Sequence, residues 1–357
     1  MISSIVTESA ESSCEALILL IADEEDARKR EVLLLDLMHK SAELRADIKN
    51  EALVQGFSSL LPRHLLSMLK RHTTMTAKPE ITPLDVAIVT VTKPELLAAK
   101  LAFDVDADAN PERIARGYHF YRGSFGNRRD PARPYSFVLT NVGADRNLPC
   151  NTCIHALLSL YRPSILVLVG IAAGNAESFR LGDVIAANTV IDIAGGRAEV
   201  DRDVPRPESF KITPETNSHL SNYIEEWKGS FPSLVEKLKA QQEAPLLPEP
   251  WLPAFKVATL VASERLIADG SMTFIRTQYH DKAVALDMES SGFAQACQSE
   301  NIPWIVFRGI SDFADPDSKN GAGLLDPKRK SWQSYAALAA GWIARDFLAS
   351  RFRSDKL

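Results

Sequence analysis

Acidic residues follow three apolar segments of this chain, and their types suit them to acid–base chemistry. Glu95 closes the run DVAIVTVTKPE, Glu289 follows VALDM, and Asp312 follows WIVFRGIS. Carboxyl groups transfer protons and accept hydrogen bonds from hydroxyl groups. Taken singly, Glu289 also suits the first turn of a helix and Asp312 a loop cap. Because ligands of open α/β sheets bind outside the carboxyl ends of strands, the three acids together indicate one site.

A turn of small residues lies between the first and second of these acids. The segment ILVLVGIAAGNA carries an apolar run into Gly170 and Ala172. Small residues permit close approach to the backbone, and we expect a ligand to make that approach here. Such a turn is common in α/β folds and by itself indicates little about function.

The elements that must position these residues are short β-branched strands that alternate with helices, the pattern of an α/β domain. Helices are expected over 151–160, 289–299 and 334–348. A polar stretch over 213–250 reads as an inserted surface helix with loops. The predicted strands are 86–91, 118–121, 136–140, 165–169, 184–193, 257–261, 283–286 and 304–308.

The first 80 residues differ from the rest of the chain in the spacing of their apolar residues. Apolar residues recur at helical spacing as far as about His72, and a linker-like stretch, HTTMTAKPEITP, follows. We therefore predict a small all-α domain over 1–80, which serves docking to a protein partner, and an α/β domain over 83–353.

Composition excludes several classes of protein. The chain has 357 residues, a formal net charge of −5 and four cysteines. No apolar run approaches the roughly 20 residues of a membrane span, and the mild acidity disfavours nucleic-acid binding. Sparse cysteines are typical of a reducing compartment, so we expect a cytoplasmic protein.

Two segments carry a resemblance to a known family. LVGIAAGNAESFRLGDVIAA and ALDMESSGFAQACQSENIPWIVFRGISDFAD resemble the purine nucleoside phosphorylase and methylthioadenosine nucleosidase superfamily. The resemblance extends from about Leu84 to Phe352 and omits the first 80 residues. It implies a three-layer αβα fold around a mixed, partly barrel-like sheet.

The resemblance also implies roles for individual residues. Met288 and Glu289 match the family's ribose-binding pair, with Glu289 accepting hydrogen bonds from the 2′ and 3′ hydroxyls. Asp312 matches the general acid that protonates N7 of a purine, oriented by Ser311. The segment LVASERLIADGS resembles the stretch that holds the purine, which places Ile267 against the ring.

The nucleophile is the open question within the family. Phosphorylases of this family hold phosphate with an arginine and a serine, and the matching positions here are Leu168 and Ile171. Glu95 matches the glutamate with which nucleosidases activate water. The pattern favours hydrolysis over phosphorolysis, although Arg146 offers a phosphate contact. Asp287 departs from the family's commoner glutamate.

The resemblance leaves the substrate's 5′ group undecided. A serine–aspartate pair facing the base favours adenine. Arginines suit phosphate, which would indicate AMP or ATP, but most of them are also explained as solvated surface charges. A methylthioadenosine-like substrate is the other choice. The arginines concerned are Arg113, Arg116, Arg122, Arg128, Arg129, Arg133, Arg146, Arg197, Arg202 and Arg206.

Other expectations concern partners. The family reaction requires no metal and no organic cofactor, and we read Cys150 and Cys153 as the start of a buried helix. Family relatives form oligomers, so a homo-oligomer is expected. The helical extension resembles nucleosidase effectors of bacterial antiviral systems, an analogy of architecture. The alternative functions are a phosphorolytic enzyme and a non-catalytic nucleotide sensor.

Overall fold

The computed structural model describes residues 81–198, 203–227, 253–265, 267, 275, 279–314 and 327–352. The predicted all-α domain over 1–80 lies outside these residues, as does the predicted insert from 228 onward. Among the described helices, none combines the length and apolar character needed to cross a membrane.

A mixed sheet of ten strands forms the centre of the described region, in the order β11-β10-β6-β12-β5-β1-β4-β3-β2 with β9 beside β6. A separate hairpin joins β7 and β8. The strands are β1 (Thr82–Thr90), β2 (Arg113–Ala115), β3 (Tyr118–Phe125), β4 (Tyr135–Asn141), β5 (Tyr161–Gly174), β6 (Val184–Asp192), β7 (Gly196–Ala198), β8 (Asp203–Pro205), β9 (Glu208–Lys211), β10 (Phe255–Ala262), β11 (Ala283–Asp287) and β12 (Trp304–Asp312).

The sheet closes on itself in part. Strand β11 pairs in parallel with β10 and also antiparallel with β5, through Ala285 opposite Gly174 and Leu286 opposite Ala173. Since β5 also pairs with β12 and β12 with β6, five strands form a ring. The mixed, partly barrel-like sheet that the family resemblance implied is observed. Its central strands are apolar on both faces, as strands covered on both sides must be.

Five helices are described: α1 (Lys93–Ala102), α2 (Asn147–Leu158), α3 (Pro214–Glu226), α4 (Ser290–Ser299) and α5 (Pro327–Arg351). Helix α5 packs on α1 and on β12 and β5, whereas α4 packs on α2. Gly309 of β12 permits the contact between β12 and α5, because a β-carbon at this position would overlap the backbone of Ala336 in α5. The helices thereby bring the ends of β1, β11 and the turn before α2 near β5 and β12.

All eight predicted strands and all three predicted helices are confirmed, several with longer bounds. Helix α1 was not predicted, although Thr92 and Glu95 form the capping box that begins it. The stretch 213–250 begins with the expected surface helix, whose inner face packs on the sheet. Leu220 and Tyr223, three positions apart, pack on the core, and the Tyr223 hydroxyl donates to Asp346 at 2.8 Å.

Candidate active site

Arg308, in the interior of β12, lies at the centre of the site and has no solvent exposure. Its Nε donates to Oδ2 of Asp287 at 2.7 Å, and its Nη2 lies 2.6 Å from the same oxygen. Nη2 also donates to Oε2 of Glu289 at 3.1 Å. Nη1 lies 3.5 Å from Oε1 of Glu95. One buried cation thus draws together acids from three separate elements.

Glu95 is held by backbone as well as by this arginine. Its Oε2 accepts from the N–H groups of Val91 at 3.0 Å and Thr92 at 2.6 Å. Its Oε1 accepts from the N–H of Ile171 in β5 at 2.8 Å. These bonds fix the buried carboxylate at the end of β1, against the middle of β5. Glu95 therefore both caps α1 and faces the charge cluster.

Gly170 makes this close approach possible. A β-carbon at this position would overlap Nη1 of Arg308 and Oε1 of Glu95. The sequence led us to expect a ligand against this backbone, but two of the protein's own side chains occupy that place. Ala172, also predicted to bind substrate, is 4% exposed and packs within the core cluster.

Glu289 precedes α4 and does not cap it with its side chain. Instead its Oε1 accepts the backbone N–H of Arg146 at 3.1 Å, and its Oε2 accepts from Arg308. Burial raises the pKa of Glu289 to about 7; Arg308 opposes that rise, and the carboxylates of Asp287 and Glu95 add to it. The explanation of Glu289 as an ordinary helix acid is excluded by these contacts.

Asp287, the last residue of β11, joins the cluster to α4. Its Oδ1 accepts from the N–H of Ser290 at 3.2 Å, and its Oδ2 accepts from the Ser290 hydroxyl as well as from Arg308. Both Asp287 and Ser290 are buried. The acid therefore begins the helix and balances the arginine with the same carboxylate.

The turn before α2 contacts the cluster through its backbone. Arg146 has a φ of 87°, which aims its N–H at Glu289, while its side chain is exposed. The next residue, Asn147, donates its N–H to Glu264 at 3.3 Å and accepts from the N–H of Gly292 at 2.9 Å. Helix α4 and the segment after β10 thus hold this turn in place.

Asp312 ends β12, four positions beyond Arg308. A bulge between Ile310 and Asp312 shifts the register, so that Asp312 lies opposite Ala173 of β5. The Ser311 hydroxyl donates to Oδ2 of Asp312 at 3.0 Å, and the N–H of Ala314 donates to Oδ1 at 3.1 Å. The expected serine–aspartate contact is present, and the carboxyl group is half-buried.

The predicted residues fall into two sets. Glu95 and Glu289 meet at Arg308, whereas Asp312 and Ser311 lie further along the same strand. Met288 is half-buried between Asp287 and Glu289. Ile267 packs against a small apolar cluster that includes Ile191, Val261 and Leu286.

Arg308 was not predicted as a site residue. The signal was present, because a charged residue inside the apolar run WIVFRGIS of a buried strand requires a buried partner of opposite charge.

Several arginines that suggested phosphate binding are engaged elsewhere. Arg122 and Arg113 lie beside Glu112, Arg128 pairs with Asp346, and Arg129 donates to the carbonyl of Ser350. Among the described arginines of that set, Arg146 is the one whose backbone contacts the charge cluster.

Cys150 and Cys153 lie in α2 and are fully buried, as predicted, although the helix exposes its other face. Burial raises the pKa of Cys153 to about 12 and that of Cys150 as well, so both thiols are protonated and inert. Within the described ranges, no three His, Cys, Asp or Glu side chains are grouped as metal ligands would be.

Comparison with known proteins adds independent information. A sequence model described as the Phosphorylase superfamily matches residues 85–345. The ATP nucleosidase Cap17 of Escherichia coli (strain KTE188) is 30% identical over 273 residues, which are 74% of this chain and 50% of that protein. A 5′-methylthioadenosine/S-adenosylhomocysteine nucleosidase of Haemophilus ducreyi is 29% identical over 44% of this chain and 60% of its own. This chain spans about half the length of the first of these relatives.

Solved structures share the fold at lower identity. A 5′-methylthioadenosine/S-adenosylhomocysteine nucleosidase of Helicobacter pylori superposes with a TM-score of 0.53 at 13% identity, covering 75% of this chain and 98% of that one. The futalosine hydrolase of the same organism gives 0.52 at 12% identity, covering 75% and 97%. These likenesses concern the fold alone.

Proposed function

This chain belongs to the phosphorylase superfamily, and from that premise we propose that it is a hydrolytic N-glycosidase that releases a purine base, adenine by preference, from a nucleoside or nucleotide. The observation that carries the proposal is the buried cluster in which Arg308 joins Glu95 to Glu289. In this cluster Glu289 is available to bind the ribose and Glu95 to activate water, and Arg308 is the cation that holds both.

The surroundings of β5 favour water over phosphate as the nucleophile. Leu168 is fully buried in the core and offers no donor from its side chain. The N–H of Ile171 is already given to Glu95. The two positions where family phosphorylases hold phosphate therefore serve packing and the orientation of Glu95.

Each acid has one task in the proposed reaction. Glu289 accepts hydrogen bonds from the ribose hydroxyls, and Asp312, held by Ser311, donates a proton to N7 of the purine. The bond between C1′ and N9 breaks, and its electron pair leaves with the base. Water adds to C1′ and releases its proton to Glu95, so that base and free sugar are the products.

The 5′ group is the less constrained part of the substrate. Arg146 is exposed next to the backbone contact with Glu289, where its guanidinium suits a phosphate. The relative named as an ATP nucleosidase supports a nucleotide, and the relatives named as methylthioadenosine nucleosidases support the smaller substrate. We favour the nucleotide because of this arginine.

A substrate panel tests the proposal directly. Adenosine, methylthioadenosine, AMP and ATP are incubated with the full chain in buffer free of phosphate, and free adenine is measured by chromatography. We expect adenine release without phosphate. Release that requires phosphate would establish phosphorolysis, and tight nucleotide binding without release would establish a sensor.

Asp312→Asn is the sharpest variant for the proposed reaction. The amide cannot donate an acidic proton to N7, so kcat should fall by about 100-fold or more, while the midpoint of thermal unfolding stays near that of the wild type. Ser311→Ala, which removes the hydroxyl bonded to Asp312, should cost less. Full activity in Asp312→Asn would contradict the assigned role.

The finer organisation belongs to the same proposal. We expect the three-layer αβα order of the family, a helical domain over 1–80 that docks a protein partner, and a cytoplasmic homo-oligomer. An antiviral effector role fits destruction of a nucleotide pool by such a two-part chain. Loss of phage protection in cells carrying Asp312→Asn would support that role.

A further inference from the structure

We propose that Asp287 is the positioning residue that aims Arg308, an inference that rests on the proposed hydrolysis. Its Oδ2 accepts from Nε at 2.7 Å and lies 2.6 Å from Nη2 of the same guanidinium. Because a guanidinium is planar and rigid, fixing Nε and Nη2 fixes the direction of Nη1 as well. Nη1 then points to Glu95, the acid proposed to activate water.

Nη1 is the nitrogen that the cluster keeps available. It is buried, makes no hydrogen bond with the described residues, and lies 3.5 Å from Oε1 of Glu95 in an ion pair. An unsatisfied buried donor is unfavourable, so Nη1 is suited to a ligand that supplies an acceptor. With Asp287 holding the far side of the guanidinium, Nη1 and Glu95 can share the attacking water.

Asp287 is itself immobilised from the opposite side. The N–H and the hydroxyl of Ser290, at the start of α4, both bind its carboxylate. The chain of contacts therefore runs from α4 through Asp287 and Arg308 to Glu95. A residue that only capped α4 would not need its second oxygen on the arginine.

The charge of Asp287 also acts on Glu289. The ionisable groups that face Glu289 are Arg308 from β12, Asp287 from β11, Glu95 from α1 and the Cys150 thiol from α2. Arg308 lowers the pKa of Glu289, whereas Asp287 and Glu95 raise it. Removing the charge of Asp287 therefore lowers the pKa of Glu289, an effect that the loss of a helix cap would not produce.

Asp287→Asn tests the proposal, with Ser290→Ala as the matched control. The control keeps the carboxylate on Arg308 and removes only a helix-side contact. We expect kcat for the best substrate to fall by about 100-fold in Asp287→Asn, as for a misaligned reacting group, with KM changed much less. The acidic limb of the pH–rate profile should move to lower pH in this variant and stay in place in Ser290→Ala. Wild-type kcat with an unmoved acidic limb in Asp287→Asn would overturn the proposal.

A second variant separates position from charge. Asp287→Glu keeps the charge but moves the oxygen by one methylene, so it should lose kcat without moving the acidic limb. Wild-type kcat in this variant would show that the position of the carboxylate relative to Arg308 does not matter, and would contradict the proposal. If Asp287→Asn does not fold, this variant still decides the matter.

A measurement without turnover keeps this inference separate from the proposed function. In protein carrying carbon-13 at the glutamate carboxyl groups, the resonance of Glu289, assigned with Glu289→Gln, should titrate at lower pH in Asp287→Asn than in the wild type. If the wild type releases no base, the proposed hydrolysis fails while this titration still tests the hold of Asp287 on the cluster. An unchanged titration in Asp287→Asn overturns the inference even in an active enzyme.

Discussion

At the scale of single residues, the site is built around one buried guanidinium. Arg308 has no exposure, and three carboxylates lie within 3.5 Å of its nitrogens. A buried charge without a partner is strongly unfavourable, so each acid stabilises the arginine. Three acids against one cation leave excess negative charge, and burial, with the carboxylates of Asp287 and Glu95 as smaller causes, raises the pKa of Glu289 to about 7.

The raised pKa of Glu289 predicts a dependence of stability on pH. Between 4.5 and about 7 the folded state holds a proton that the unfolded state has already released. Raising the pH through this window therefore favours unfolding. Glu289→Gln should abolish this decline and be more stable than the wild type at pH 8 by about 3 kcal/mol. Urea unfolding from pH 4.5 to 8 measures it.

Glu177→Gln, which changes an exposed carboxylate, is the control for this measurement and should retain the decline. A decline that survives in Glu289→Gln would show that another group causes it.

The close contacts of Gly170 predict that adding a side chain at this position destabilises the cluster around Arg308. The β-carbon of Gly170→Ala would displace Nη1 of Arg308 and the carboxylate of Glu95. We expect a loss of about 1–3 kcal/mol of stability and a large loss of kcat. Gly126→Ala is the matched control, since a β-carbon there meets no atom within 4 Å. Equal kcat in the two variants would argue against a catalytic role for the cluster.

At the scale of elements, contacts between secondary structures decide where the acids lie. Strand β11 runs antiparallel to the last residues of β5, with Leu286 opposite Ala173, and Asp287 and Glu289 follow that contact. Strand β12 meets that same part of β5, with Arg308 opposite Gly170. Regular alternation would place Asp312, four positions after Arg308, on the same face of the strand. The bulge before Asp312 interrupts that alternation.

The packing of α4 on α2 predicts a remote effect on the site. A β-carbon at Gly292 would overlap the backbone of Asn147, the residue after the N–H that binds Glu289. Gly292→Ala should push the two helices apart and raise KM more than Gln295→Ala, an exposed change on the same helix. Steady-state kinetics on both variants check this. An unaltered KM in Gly292→Ala would show that the turn before α2 is held by other contacts.

At the scale of the whole molecule, two of the exposed large apolar side chains among the described residues lie close in sequence to site residues. Leu97 of α1 is 47% exposed and Leu148 of α2 is 74% exposed, each within three residues of a site residue. Where copies of the chain associate, covering such side chains stabilises the contact.

We predict an oligomer in solution. Light scattering coupled to gel filtration should give a mass of at least twice 39.4 kDa, since the exposed leucines suit a contact between copies. Leu148→Lys should shift the equilibrium toward the monomer, and Ile114→Lys, at the edge strand β2, serves as comparison. A monomeric wild type would contradict the prediction.

Much of the fold was predictable because its signals are local. Runs of β-branched residues predict apolar strands such as the one around Val167, and glycine and proline predict turns. Helix α1 was missed, since only Val91 and Thr92 separate it from the strand before it. Glu289 and Glu95 were predicted as site residues because they are acidic and follow predicted strands. Their contact with Arg308 could not be predicted from sequence spacing.

The residue types of the site, most of the strands and helices, and the superfamily resemblance were therefore determined by the sequence alone. The tertiary structure decided that Arg308 gathers Glu95, Asp287 and Glu289, that Gly170 makes room for side chains of the protein itself, and that Glu289 holds its proton near neutrality. The reason is physical. Hydrophobic periodicity acts between residues near in sequence, whereas burial and charge balance depend on groups that only the closed sheet brings together.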